Sequence, residues 1–221
     1  KVREAFDTLL TGSGARVAAF QLGDTLEALR RTHQTLLDKP VHGSPDDTFR
    51  AHSDFIDAAL AMVREVANAS QLVLDPELDT HHMMAMSVLP APVQQENTGR
   101  LRGLGNLVLR ENRQTPERRE LLLRWDAIWD FLDREVEDAY REGIAKFPDV
   151  AARFDMKGTD AAAQAFHQAV RSQILGESPS GDAKAFLALG NAAVDKQTEL
   201  AAAVRERLDE RLQSRIAALN T

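Results

Sequence analysis

Cysteine is absent from the 221 residues, which excludes disulfides, thiolate metal centres and cysteine nucleophiles. Aromatic residues are scarce, at 5% with one Tyr and two Trp. A core must therefore come mainly from Leu, Ala, Val, Ile and Phe, which suits close helix packing better than a sheet sandwich. β-branched and aromatic residues nowhere gather into alternating runs between turn signals, so no strand is expected. No apolar run approaches the ~20 residues that span a bilayer, and no secretory signal peptide is legible. Basic stretches are missing as well. The net charge is -7, and Lys and Arg interleave with Asp and Glu, which excludes the basic stripe of a nucleic-acid binder. Phosphate-binding loops, the nucleophile elbow and the zinc helix HExxH are all absent. Glu-xx-His pairs of the di-iron type are absent too. Leu101–Asn106 (LRGLGN) holds two glycines, but no strand precedes it. No enzymatic activity, cofactor or metal centre is expected.

What is present is a globular composition, 43% hydrophobic and 28% charged, with helical periodicity almost throughout. A first helix is expected from Val2 to Leu37, weakened at Gly12 and Gly14. KPVHGSP, residues 39–45, reads as a loop. Asp46 or Asp47 is expected to cap a second helix ending near Asn68. Asp75 before Pro76 signals the start of a third, since Asp accepts from exposed N–H groups and Pro suits the first helical position. LPAP, Leu89–Pro92, must kink or interrupt it. Thr115-Pro116-Glu117 opens a fourth helix, which ends near Phe147. A fifth covers Thr159–Leu175, and a sixth runs from Asp182 almost to the terminus. On the last helix Leu200, Val204, Leu208, Leu212, Ile216 and Leu219 form an apolar seam, with charged residues such as Arg205, Glu206 and Arg211 between them. The expected fold is all-α: an elongated antiparallel bundle of about six helices with long first and last members. Residues 1–221 would form one domain, built as one bundle or as two stacked four-helix modules. Both terminal helices lack stop signals and are expected to continue beyond the sequence.

The densest polar cluster is Asp75–Met86, DPELDTHHMMAM. His81 and His82 point about 100° apart on a helix, so one of them is able to line a bundle interior. Imidazole with thioether sulfur would suit copper(I), while the plainer reading makes the methionines core filler. Guanidinium groups facing inward would suit a carboxylate or nitrate-like anion. Arg16, Arg30, Arg31, Arg50, Arg64, Arg100, Arg102 and Arg110 are the candidates for that role.

The segment Ser70–Met84 reads SQLVLDPELDTHHMM. It resembles a motif of helical extracytoplasmic sensor domains of bacterial transmembrane receptors, approximately S-N-L-I-L-D-P-D-x-D-S-Y-Y-L-M. Ser70, Leu72, Leu74, Asp75, Pro76, Asp79 and Met84 match. Val73 and Thr80 are conservative replacements, Gln71 replaces Asn, and His81 and His82 stand where the pattern has two tyrosines. In that group such domains sit between two membrane helices of chemotaxis receptors, sensor kinases and diguanylate cyclases. The resemblance implies a periplasmic domain of an inner-membrane protein that binds a small molecule, anions among the candidates, between its helices. It also implies a homodimer, signalling through the terminal helices. Two stacked modules would then divide into a membrane-proximal one from the chain ends and a distal one from the middle. Ser70, Asp75, Asp79, His81, His82 and Arg102 are the expected ligand-binding residues. The rival expectation is a structural or adaptor bundle without a small-molecule ligand.

Overall fold

A computed structural model describes residues 14–38 and 43–219. Val2, Phe6, Leu9 and Gly12 of the expected first helix lie outside the described residues, as do Lys39–His42 of the expected loop and the side chain of Arg16. Among the described residues every regular element is helical and none is a strand. The chain divides into two compact units, Lys1–Leu74 and Asp75–Thr221.

The first unit contains α1 (Gly14–Ala19), α2 (Gly23–Asp38) and α3 (Pro45–Ala69). The continuous first helix is corrected here: it breaks between Ala19 and Gly23, where Gln21 takes a left-handed φ of 56°. Packing accounts for the break. Phe20 and Leu22 both join the cluster of Leu29, Met62 and Phe55. On an unbroken helix, residues two apart point roughly 200° away from each other and would not share one core. The cap of α3 is also corrected. Ser44, not an aspartate, is the N-cap: its hydroxyl accepts from Asp47 N, and the Asp47 carboxylate accepts from Ser44 N in return. That reciprocal pair satisfies two donors of the first turn, and Pro45 occupies a position where its missing N–H costs nothing. After Ser70 the chain reverses through Gln71 at φ 59° and closes with a single 3₁₀ turn, Leu72–Leu74.

The second unit contains α4 (Leu78–Val88), α5 (Pro90–Glu111), α6 (Pro116–Glu142), α7 (Pro148–Ala151), α8 (Met156–Ala169) and α9 (Ala183–Leu219). The LPAP segment divides α4 from α5 at Leu89. Pro92 has no N–H to give and its ring crowds the preceding turn, so one straight helix is not available there. Thr115 caps α6 by accepting from Arg118 N, with Pro116 beside it. Helix α9 has 37 residues, roughly 55 Å at the usual rise. It packs on α4, α5 and α8, while α6 packs on α4 and α5. Between them Trp129, Phe166, Phe186, Met83, Leu101 and Leu104 are fully buried. Gly105 lets α5 approach α9 closely: a Cβ there would stand 2.7 Å from the Phe186 ring. The seam of α9 is buried at Leu200, Val204 and Leu208, but Ile216 and Leu219 are 53% and 86% exposed. A π turn, Val170–Ile174, extends α8; Ile174 O accepts from Gln114, and the O of the following Leu175 accepts from Arg119.

Candidate functional site

The Asp75–Thr80 segment meets the far end of α9. Asp75 and Asp79 stand four residues apart, as do Arg211 and Arg215, and the two pairs meet in opposite order. Arg215 holds both carboxylate oxygens of Asp75, with Nη1 to Oδ1 at 3.1 Å and Nη2 on Oδ2. Arg211 holds Asp79 Oδ2 through Nε at 2.8 Å and also through Nη2. Two-point contact of this kind fixes direction as well as charge. Both carboxylates are buried, at 4% side-chain exposure, while the Arg211 and Arg215 side chains are 41% and 34% exposed.

Asp75 does not cap the helix as expected. Glu77 is the N-cap of α4 and makes no side-chain cap bond. Asp75 Oδ1 instead accepts from Glu77 N at 3.0 Å and from Thr80 Oγ1 at 2.7 Å. Asp75 stands two residues before that N-cap, so its carboxylate closes a short Asx turn rather than the helix start. The Arg215 guanidinium, followed by the Thr80 and Glu77 donors, outweighs burial and lowers Asp75 to about 2. Asp79 Oδ1 accepts from Thr80 N at 2.8 Å. Glu77, Asp79, Thr80, Arg211, Ser214 and Arg215 border an open pocket of about 210 Å³. The Arg211 and Arg215 guanidinium edges and the Ser214 hydroxyl give it donors suited to a small anion, beside the acidic Glu77 and Asp79.

The other expected residues are not brought to this pocket. His82 is half-buried and packs so closely on Gly143 that any Cβ there would overlap its ring. Burial, helped by His81 and Lys146, lowers the pKa of His82. His81 sits edge-on to it at 5.6 Å. Ser70 belongs to the first unit, where it is the C-cap of α3 and donates to Ala67 O. Arg102 lies on α5, with its stem over Gly190 and its Nη1 donating to Asn191 Oδ1 at 2.9 Å. Met83, Met84 and Met86 are core residues, each under 5% exposed.

Arg211 and Arg215 were missed because the charged residues of α9 read as a solvated face. The legible signal was spacing: an i,i+4 arginine pair on the last helix matching an i,i+4 aspartate pair in the motif. A second polar network also went unread. His167 Nε2 is 2.6 Å from Asp126 Oδ1, and its ring stacks on Trp129 at 3.8 Å. Arg171 bridges Asp126 and Asp130 at 3.0 and 2.5 Å. Burial lowers the pKa of His167 more strongly than Asp126 raises it. With 3% of its surface exposed, His167 ties α8 to α6 and offers little to solvent.

Among the described residues no helix is long and apolar enough to cross a membrane. Comparison of the chain with known protein families, with curated proteins and with solved structures finds no match.

Proposed function

We propose that this chain is the extracytoplasmic sensing domain of a bacterial signal-transduction receptor. One observation carries the reading: the Asp75–Thr80 segment is clamped to the end of the 37-residue last helix by two arginines bordering an open pocket. A ligand that enters there acts directly on the helix that would lead to the output. An anion that bridges Arg211 and Arg215 competes with Asp79 and Asp75 for the same guanidinium donors. Its differential affinity for the clamped and released arrangements would displace the end of α9. The exposed Ile216 and Leu219 on that end suit packing against a second protomer. An elongated bundle of two stacked modules, a periplasmic location and membrane anchoring of the parent protein belong to the same reading.

The test is a thermal-shift screen of small carboxylates and inorganic oxyanions, followed by calorimetry. A hit should lose at least about tenfold in affinity, some 1.4 kcal/mol, in Arg211→Gln or Arg215→Gln. A ligand that binds those variants as well as the wild type places the site elsewhere. A gene product with no hydrophobic segment on either side of this region ends the receptor reading and leaves a structural or adaptor bundle.

A further inference from the structure

The residues that border the clamp pocket, Glu77, Asp79, Thr80, Arg211, Ser214 and Arg215, include no apolar side chain. Their charges, taken with Asp75, do not cancel. Asp79 meets Arg211 and Asp75 meets Arg215, which leaves Glu77 as a third carboxylate for two guanidiniums. Glu77 is exposed, and only its backbone is engaged: its N–H donates to Asp75, and its carbonyl accepts from Thr80 and from His81 N. Its carboxylate has no partner among the described residues. The charge still reaches the clamp. Asp75 first, and then Glu77 and Asp79, raise the pKa of Arg215. A plain anion on the two arginines therefore has an unbalanced negative charge beside it.

The clamp also leaves donors unused. Arg211 gives Nε and Nη2 to Asp79, and Arg215 gives Nη1 and Nη2 to Asp75. Arg211 Nη1, Arg215 Nε and the Ser214 hydroxyl have no partner among the described residues. Positions 211, 214 and 215 share one face of α9, at i, i+3 and i+4. The pocket thus combines spare donors on α9 with a spare acceptor at the start of α4.

We propose that the ligand of this pocket is a small zwitterion with a carboxylate and a primary ammonium, the chemistry of a free α-amino acid. Its carboxylate takes the donors of Arg211, Ser214 and Arg215. Its ammonium, with three donors and no acceptor, takes the Glu77 carboxylate. The repulsion that Glu77 exerts on a plain anion becomes an attraction. The pocket holds about 210 Å³, below the roughly 300 Å³ at which sites for drug-sized ligands begin, so the ligand is small. Without an apolar wall, a large aliphatic or aromatic side chain gains nothing by entering. The inference rests on the receptor reading and adds a second subsite to its anion site.

Calorimetry on the whole chain near neutral pH tests it, with glycine, acetate, ethylammonium and leucine compared at matched ionic strength. Glycine should bind at least about tenfold more tightly than acetate or ethylammonium, and leucine no more tightly than glycine. Glu77→Gln, at an exposed side chain, should bring glycine down to the affinity of acetate and leave acetate no weaker. Arg211→Gln should weaken both. Equal affinity for glycine and acetate, or glycine binding unchanged in Glu77→Gln, overturns the zwitterion; acetate that still depends on Arg211 then keeps the receptor reading. Ethylammonium as tight as glycine, or no saturable glycine binding up to about 10 mM, overturns it too. The receptor reading loses its site only when the whole screen of carboxylates and oxyanions also fails.

Discussion

Two aspartates of the second unit titrate in opposite directions, and each direction has a measurable consequence. Asp133 is raised from 3.8 to about 6, chiefly by burial. Its contribution to stability is present below pH 3.8, declines as pH rises through 6 and is unfavourable at neutral pH. Asp133→Asn should therefore raise Tm at pH 7.5 by roughly 2–4 °C, about 1 kcal/mol, and change nothing below about pH 4. Thermal melts across that range check the sign; equal effects at both ends contradict it. Asp75 behaves oppositely, lowered from 3.8 to about 2 by Arg215. Its stabilisation is complete above pH 3.8 and is lost as pH falls through 2. Arg215→Gln leaves a buried carboxylate without its cation, at a cost of about 1–2 kcal/mol after allowing for the partial exposure of the arginine. The variant should also lose most of the acid-induced slope in circular dichroism between pH 4 and 2, both limits approximate. Asp75 and Asp79 were legible as a cluster from the motif alone. Their partners lie 140 and 132 residues away, a distance that no local spacing rule spans.

Helix starts were legible where a side chain closes its own first turn, as Thr115 does before Pro116. They were misread where the signal residue serves a tertiary contact two residues ahead of the actual cap, as Asp75 does with Arg215. The break at Gln21 was invisible for a related reason: it serves a core that α2 and α3 build together. Glycines in α5 show the same dependence on neighbours. Gly105 faces the Phe186 ring, whereas the atom nearest a Cβ at Gly99 is a Glu96 carboxylate oxygen at 3.9 Å. The two positions are alike in sequence, since both are mid-helix glycines. Gly105→Ala should cost about 1–3 kcal/mol by overpacking. Gly99→Ala should gain up to about 1 kcal/mol, because alanine loses less backbone entropy in a helix. Urea melts of both variants measure the difference; the same sign at both positions would contradict this packing.

Each unit holds its own buried cluster. Leu22, Leu29 and Met62 anchor the first, and Trp129, Phe166, Phe186 and Leu104 lie within the second. The arginine clamp belongs to the second unit, so ligand effects on stability should register there. All-helical character was legible from periodicity and from the shortage of aromatic and β-branched runs. The boundary at Leu74 was not, because a proline-bearing segment marks a turn without saying whether packing continues across it. Two clusters of this kind imply two cooperative transitions in scanning calorimetry. Leu29→Ala should lower one of them and leave the other in place. Leu104→Ala, at a fully buried site in α5, should do the reverse at a cost of about 2–5 kcal/mol. A single transition displaced by both substitutions would mean that the units unfold together, and their independence would then be lost.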